Sequence, residues 1–292
     1  MAAYAGADLP PKNIKIGIIG GTGIGSPDIL KSPQHRRVTT AYGDPSGPLV
    51  EGEIDGIQVA ILSRHGQTHT IMPTNVNYRA NVLALKEAGC THLLVSAACG
   101  SLREDYAPGD LVILDQFIDR TTKRAVTFYD GLEGHLKGIA HFPSHEPFCP
   151  KMREILIATA KSLDLKCHPE GTIVVIEGPR FSSKAESRMF QKWGGDVIGM
   201  TTFPEVILAM ELGIPYASIG IVTDYDAWKN VEDHSPVHVE MVTKTLEQAG
   251  SKAINLMRKV ISEIAQFDWT EIHQENKNRI KTSVFGGFAA ME

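Results

Sequence analysis

Two aspartates, Asp224 and Asp226, close an almost unbroken apolar run from Tyr216 to Thr223. Two positions apart on an extended chain, they point the same way. A carboxyl group at the end of a buried strand has a raised pKa unless it is paired, so it can keep a proton and serve as a general acid. Ionised, it accepts hydrogen bonds from an exocyclic amine. A second group of residues suits an anion. Gly20-Gly21-Thr22-Gly23 offers backbone N–H groups and a hydroxyl, and Arg64-His65-Gly66 adds a planar guanidinium fork and a second donor. Taken singly, each motif has an ordinary structural explanation: a strand-to-loop turn, a surface arginine, a solvated pair of acids.

Other chemistries fit less well. The glycine loop fails the dinucleotide spacing G-x-G-x-x-G, because Gly21 and Gly23 are followed by Ser26, and Gly23 and Gly25 by Asp28. No Walker lysine follows it. His65 and His69 are four apart, but Gly66 and Pro73 argue against a helix there and no H-E-x-x-H is present, so no metal site is expected. Cys99 sits among small residues with no evident activating partner and is not expected to be a nucleophile.

The elements that must position these groups follow from hydrophobic patterning. Strands are expected at Lys15 to Ile19, Gln58 to Leu62, His92 to Ser96, Leu111 to Leu114, Thr172 to Ile176, Val197-Ile198 and Tyr216 to Thr223. In this reading Ala97-Ala98-Cys99-Gly100 is the turn after the third of these. Helices are expected at Asn77 to Glu87, Pro150 to Leu163, Lys184 to Trp193 and Pro204 to Glu211, with a long amphipathic one from about Val237 to Ile264. The alternation predicts an α/β fold with a central mixed, largely parallel β-sheet flanked by helices. With no Ser/Gly linker, repeat or low-complexity tract, residues 1–292 are expected to form one domain. Residues 1–13 are expected to be flexible. The polar tail, 270–292, is expected to pack on a neighbouring subunit or to fray.

Composition bounds the rest. The chain has 292 residues, 42% hydrophobic and 22% charged, with a net charge of -5. These are globular proportions, and there is no global basic field to draw nucleic acid or an anionic membrane. The four cysteines show no CxxC spacing and are read as reduced thiols. No secretory signal pattern and no run of about 18 apolar residues is visible, so a cytoplasmic location, with a nuclear one compatible, is expected. In open α/β sheets ligands gather at the carboxyl ends of strands. The glycine loop, Arg64-His65, Ala98 to Ser101, Met200 to Thr202 and the aspartates all follow expected strands, so they are expected to converge.

The ordered set Gly17-Ile18-Ile19-Gly20-Gly21-Thr22-Gly23, residues 64–69 (Arg-His-Gly-Gln-Thr-His), 73–81 (Pro-Thr-Asn-Val-Asn-Tyr-Arg-Ala-Asn), 98–102 (Ala-Cys-Gly-Ser-Leu), 177–183 (Glu-Gly-Pro-Arg-Phe-Ser-Ser), 200–202 (Met-Thr-Thr) and 223–226 (Thr-Asp-Tyr-Asp) closely resembles the methylthioadenosine phosphorylases of the trimeric purine nucleoside phosphorylase family. The match runs in order from about residue 14 to about 285. The resemblance implies phosphorolysis of 5′-methylthioadenosine to adenine and 5-methylthioribose 1-phosphate, a step of purine and methionine salvage, in a homotrimer. It implies inorganic phosphate as co-substrate and no metal or organic cofactor. Thr22, Arg64, His65, Ala98 through its backbone, and Thr201 would hold phosphate. Met200 would pack on the ribose, and Phe181 and Ser182 would face the base. Asp224 would meet N7 and the 6-amino group, with Asp226 beside it. Val239 and Val242 would line the alkylthio pocket, and His141 and Phe285 would come from a neighbouring subunit.

The sequence departs from that pattern twice. Relatives commonly carry Thr-Thr-Ala-Cys-Gly-Ser where this chain has Ser96-Ala97-Ala98-Cys99-Gly100-Ser101, so Ala97, at a phosphate-binding position, lacks a hydroxyl. The segment Asn230 to His238, which contains Pro236, is about two residues longer by motif spacing. Three other functions compete: a phosphorylase of inosine, guanosine or adenosine, a hydrolytic nucleosidase, and a non-catalytic nucleotide-binding protein. A carboxylate suits the 6-amino donor and repels a 6-oxo acceptor. The anion cradle argues against hydrolysis, and the acid pair against mere binding.

Overall fold

The computed structural model describes residues 14–21, 29–229 and 239–285. In chain order the elements are β1 (Lys15–Gly20), β2 (Lys31–Arg36), β3 (Leu49–Ile54), β4 (Ile57–Ser63), α1 (Tyr78–Glu87), β5 (His92–Ser101), β6 (Leu111–Ile113), β7 (Gln116–Arg120), β8 (Ile139–Ala140), α2 (Pro150–Ser162), β9 (Cys167–His168), β10 (Thr172–Ile176), α3 (Lys184–Lys192), β11 (Val197–Gly199), α4 (Thr202–Glu211), β12 (Tyr216–Asp224), α5 (Val239–Gln266), α6 (Thr270–Ser283) and β13 (Val284–Phe285). Among the described residues, eleven strands form one branched sheet, along β2-β3-β4-β1-β5-β11-β10-β7, with β12, β6 and β9 branching from β5. The pairs β1/β4, β1/β5, β5/β12, β10/β11 and β7/β10 are parallel, whereas β2/β3, β3/β4, β5/β11 and β6/β12 are antiparallel. The sheet is mixed and largely parallel, as expected.

Alternating side chains of the central strands feed two cores. Ile19, Leu62, Leu93 and Val95 pack with Val82 and Leu83 of α1 and Val206 and Leu208 of α4. Ile16, Ile18, Ile61 and Leu94 pack with Met152 and Leu156 of α2 and Leu246, Leu256 and Val260 of α5. Strands covered on both faces must be apolar throughout, and β12 is buried at every position. Helix ends follow local chemistry. The Asn77 side chain accepts the Ala80 N–H at the start of α1, and Pro150 opens α2 where its missing N–H costs nothing.

Two expectations are corrected. β5 continues through Ala97-Ala98-Cys99-Gly100 to Ser101, because these small residues pair with Gly220, Ile221, Val222 and Asp224 of β12. Strands β2, β3 and β7 went unread: β2 is exposed at all six positions, and an edge strand of this kind carries no apolar alternation. Residues 270–283 form α6 and pack on their own chain, with Asn276 Nδ2 donating to the Gly213 carbonyl at 3.4 Å. Residues 286–292 of the tail, like 1–13, lie outside the described residues.

Candidate functional site

The carboxyl ends of β1, β4, β5, β11 and β12 surround a cavity of about 400 Å³. Gly21, Arg64, His65, Ala98, Met200, Thr201, Phe181, Ser182, Asp224, Asp226, Val239 and Val242 all line it. The expected convergence is therefore met by residues spread over most of the chain. Its size is that of a cleft for a small organic ligand.

At one end stands Arg64, only 1% exposed. Its backbone N–H donates to the Gly20 carbonyl at 3.0 Å, tying the ends of β4 and β1 together. Its guanidinium fork is already engaged: Nε and Nη2 donate to the two carboxylate oxygens of Glu205, at 2.9 and 3.0 Å, and Nη1 donates to the Ser96 carbonyl at 3.1 Å. Burial opposes the charge on Arg64, but Glu205 outweighs it and holds its pKa above the ordinary value. The Tyr216 hydroxyl donates to Glu205 Oε1 at 2.8 Å. A bidentate grip of this arginine on an anion, the geometry anticipated from its shape, is thus taken by an internal carboxylate, and a ligand meets only the outer N–H groups.

His65 follows on a tight turn in which Gly66 has φ +78° and His69 φ +53°. Its Nδ1 lies 2.8 Å from the Ile71 carbonyl oxygen. Burial, reinforced by Arg64, pushes the pKa of His65 down to about 4. Thr201, 8% exposed, precedes α4 and lines the cavity beside Met200.

Across the cavity lie the two acids. Asp224 ends β12, and its Oδ1 accepts the Asp226 N–H at 2.7 Å. Asp226 adopts φ +46°, a left-handed conformation that aspartate tolerates better than most residues. The extended geometry assumed from the spacing therefore breaks at Asp226, and the pair is joined by a turn instead of standing side by side. Burial raises the pKa of both carboxyls. Asp226 Oδ2, Ser182 Oγ and Ser187 Oγ are buried without hydrogen-bond partners among the described residues. The two serines still lie near enough to the Asp226 carboxyl to offset part of the effect of burial.

The remaining walls come from one loop and one helix. Glu177 fixes the loop base: it accepts from Thr74 Oγ1, Arg124 Nε and the N–H groups of Thr122 and Lys123, at 2.7 to 3.0 Å. Gly178 has φ +69°, and a Cβ there would come within 2.5 Å of Met200 Sδ. A capping box between Ser183 and Glu186 fixes the far end at the start of α3. Phe181 and Ser182 are held between these anchors, and Phe181 is 38% exposed. Val239 and Val242 open α5, with Val239 71% exposed at the cavity mouth.

Not every expected residue is brought together. Ala97 is buried and does not line the cavity, although Ala98, Cys99 and Gly100 do. His141 and Phe285 lie away from it, on the small β8–β13 sheet, where the His141 N–H donates to the Ser283 carbonyl and their rings stand 5.8 Å apart. Thr22 and the 230–238 segment fall outside the described residues. Sequence reasoning missed Glu205, which reads as the polar face of a helix, and Ser187. Cys99 is buried with its pKa raised by burial and by Asp224, which makes its thiol inert.

The sequence model of the phosphorylase superfamily matches residues 15–262. The S-methyl-5′-thioadenosine phosphorylases of Xenopus tropicalis and Danio rerio are 57% and 55% identical over 93% of this chain and 96% of theirs. Among solved structures, the methylthioadenosine phosphorylase of Schistosoma mansoni in complex with adenine aligns with a TM-score of 0.90 at 42% identity, covering 93% of this chain and 99% of that one. A variant of the adenosine/methylthioadenosine phosphorylase of the same organism, in complex with methylthioadenosine, aligns with a TM-score of 0.89 at 43% identity and the same coverage.

Proposed function

The chain belongs to the phosphorylase superfamily, and on that premise we propose that it cleaves 5′-methylthioadenosine with inorganic phosphate to give adenine and 5-methylthioribose 1-phosphate. The observation that carries this reading is one cavity with an anion-facing end at Arg64, His65 and Thr201 and a buried pair of raised-pKa carboxyls opposite. The names of the similar proteins support it.

In this reading a phosphate oxygen bonds to C1′ as the C1′–N9 bond breaks. The electron pair of that bond passes into the purine, and Asp224 delivers a proton to N7. The protein does little covalent work; it positions an anion and supplies an acid. The Asp226 oxygen that lacks a donor suits a 6-amino N–H and disfavours a 6-oxo group. Phe181 and Ser182 border the base, Met200 the ribose, and the apolar Val239 and Val242 the methylthio group. Ala98 borders the phosphate end, to which the family resemblance also assigns Thr22, and the reaction so read requires neither a resident metal nor an organic cofactor. The active assembly in this proposal is a homotrimer.

The test is adenine release from methylthioadenosine with and without phosphate, with inosine run alongside. Release that requires phosphate, with inosine inert, is expected. Undiminished release without phosphate would make the chain a hydrolase, and turnover of inosine would overturn the assignment of the carboxyls.

A further inference from the structure

His65 has a fixed tautomer. Its Nδ1 lies 2.8 Å from the Ile71 carbonyl oxygen. A carbonyl can only accept, so Nδ1 carries the hydrogen. In the neutral ring Nε2 then holds a lone pair, and it is the ring nitrogen left for a ligand in the cavity that His65 lines. The surroundings favour the neutral ring. Arg64 is adjacent, and the His69 ring, 4.6 Å away, is itself pushed toward neutrality by burial. Glu205 is engaged by Arg64 and Tyr216, and Asp224 and Asp226 line the cavity from the end of β12.

We propose that Nε2 of His65 is a hydrogen-bond acceptor in the anion site, taking the hydroxyl hydrogen of hydrogen phosphate, and that this selects phosphate over sulfate. The inference rests on the phosphorolysis reading above. Hydrogen phosphate carries a P–OH to donate, whereas sulfate carries none near neutrality. Sulfate meets a lone pair unless the ring first takes up a proton, and a ring with its pKa near 4 does so with difficulty. Arg64 cannot make this distinction, since its N–H groups serve both anions alike. His65 is thus a specificity-determining residue that acts through the proton it lacks.

The experiment is calorimetric titration of the whole protein with inorganic phosphate and with sulfate, at constant ionic strength, from pH 8 to pH 6. Phosphate is expected to bind at least tenfold more tightly at pH 8. Sulfate affinity is expected to rise by up to tenfold for each pH unit lowered, because its binding takes up a proton. His65→Asn keeps a side-chain amide for the Ile71 carbonyl and removes Nε2. In that variant the preference is expected to collapse and the pH dependence of sulfate binding to vanish. A purely structural role for His65 would weaken both anions equally and leave their ratio unchanged, which would overturn the proposal. Phosphate binding with no preference over sulfate overturns it too and leaves phosphorolysis standing. Failure of the wild type to bind phosphate at all overturns both.

Discussion

The single hydrogen of the Thr223 hydroxyl bears on the state of Asp224. Two acceptors lie within its reach, the Cys99 carbonyl at 3.2 Å and Asp224 Oδ2 at 2.6 Å. The shorter contact is the hydroxyl's hydrogen bond to Asp224 Oδ2, and together with the Asp226 N–H on Oδ1 it opposes the effect of burial on the carboxyl. Burial outweighs both hydrogen bonds and raises the Asp224 pKa. A carboxyl whose pKa is raised in this way suits the general acid that a leaving base needs. Asp224→Asn keeps the shape and removes the transferable proton, so kcat for methylthioadenosine should fall by about 10²–10⁴ with an unchanged unfolding curve. A kcat near the wild-type value would remove Asp224 from the acid role. This residue was legible in the sequence because it ends an apolar run. The Arg64–Glu205 pair was not, since its partners are 141 positions apart and a lone glutamate in a helical segment has the pattern of an exposed face.

At the scale of elements, the length of β5 decides where the acids sit. Its last residues are small, and in composition they look like a turn. They remain a strand because β12 runs beside them and β11 pairs with Gly100 and Ser101. Gly100 is required there: a Cβ would stand 2.9 Å from Asp224 Oδ1, 3.1 Å from Ile198 Cγ2 and 3.3 Å from Asp226 Cβ. Gly100→Ala therefore forces the carboxyls or the strand to shift. Overpacking of this kind costs about 1–3 kcal/mol, and misplacing a reacting group costs further in rate. The expected result is a folded protein, less stable in denaturant, with kcat/KM down at least tenfold. Unchanged kinetics would mean that the acids do not need their present positions. Long apolar strands and the striped helix α5 could be read from periodicity. The exposed strand β2 and the polar helix α6 could not, because pairing and tertiary contact set them, not a buried stripe.

At the scale of the whole molecule, the small β8–β13 sheet is one place among the described residues where apolar side chains are left uncovered. Ile139 is 63% exposed and Phe285 69% exposed, on paired strands of the small sheet, with His141 adjoining. Leu132, at 62%, lies on the same stretch of chain. Exposed apolar clusters of this kind mark interaction surfaces. Neither His141 nor Phe285 lines the cavity of its own chain, and the family resemblance implies that in the proposed trimer they reach a neighbour's cavity. The wild type should sediment at three times the chain mass. Ile139→Asp puts a charge on the patch, so it should yield smaller species whose activity falls with assembly, measured by sedimentation and adenine release on the same samples. Phe285→Ala removes a contact without adding a charge. It should keep the trimer and raise KM for methylthioadenosine, with kcat less affected, as expected of a residue that binds substrate from outside the chain. A monomeric Ile139→Asp protein with full activity would show that each cavity is complete within one chain.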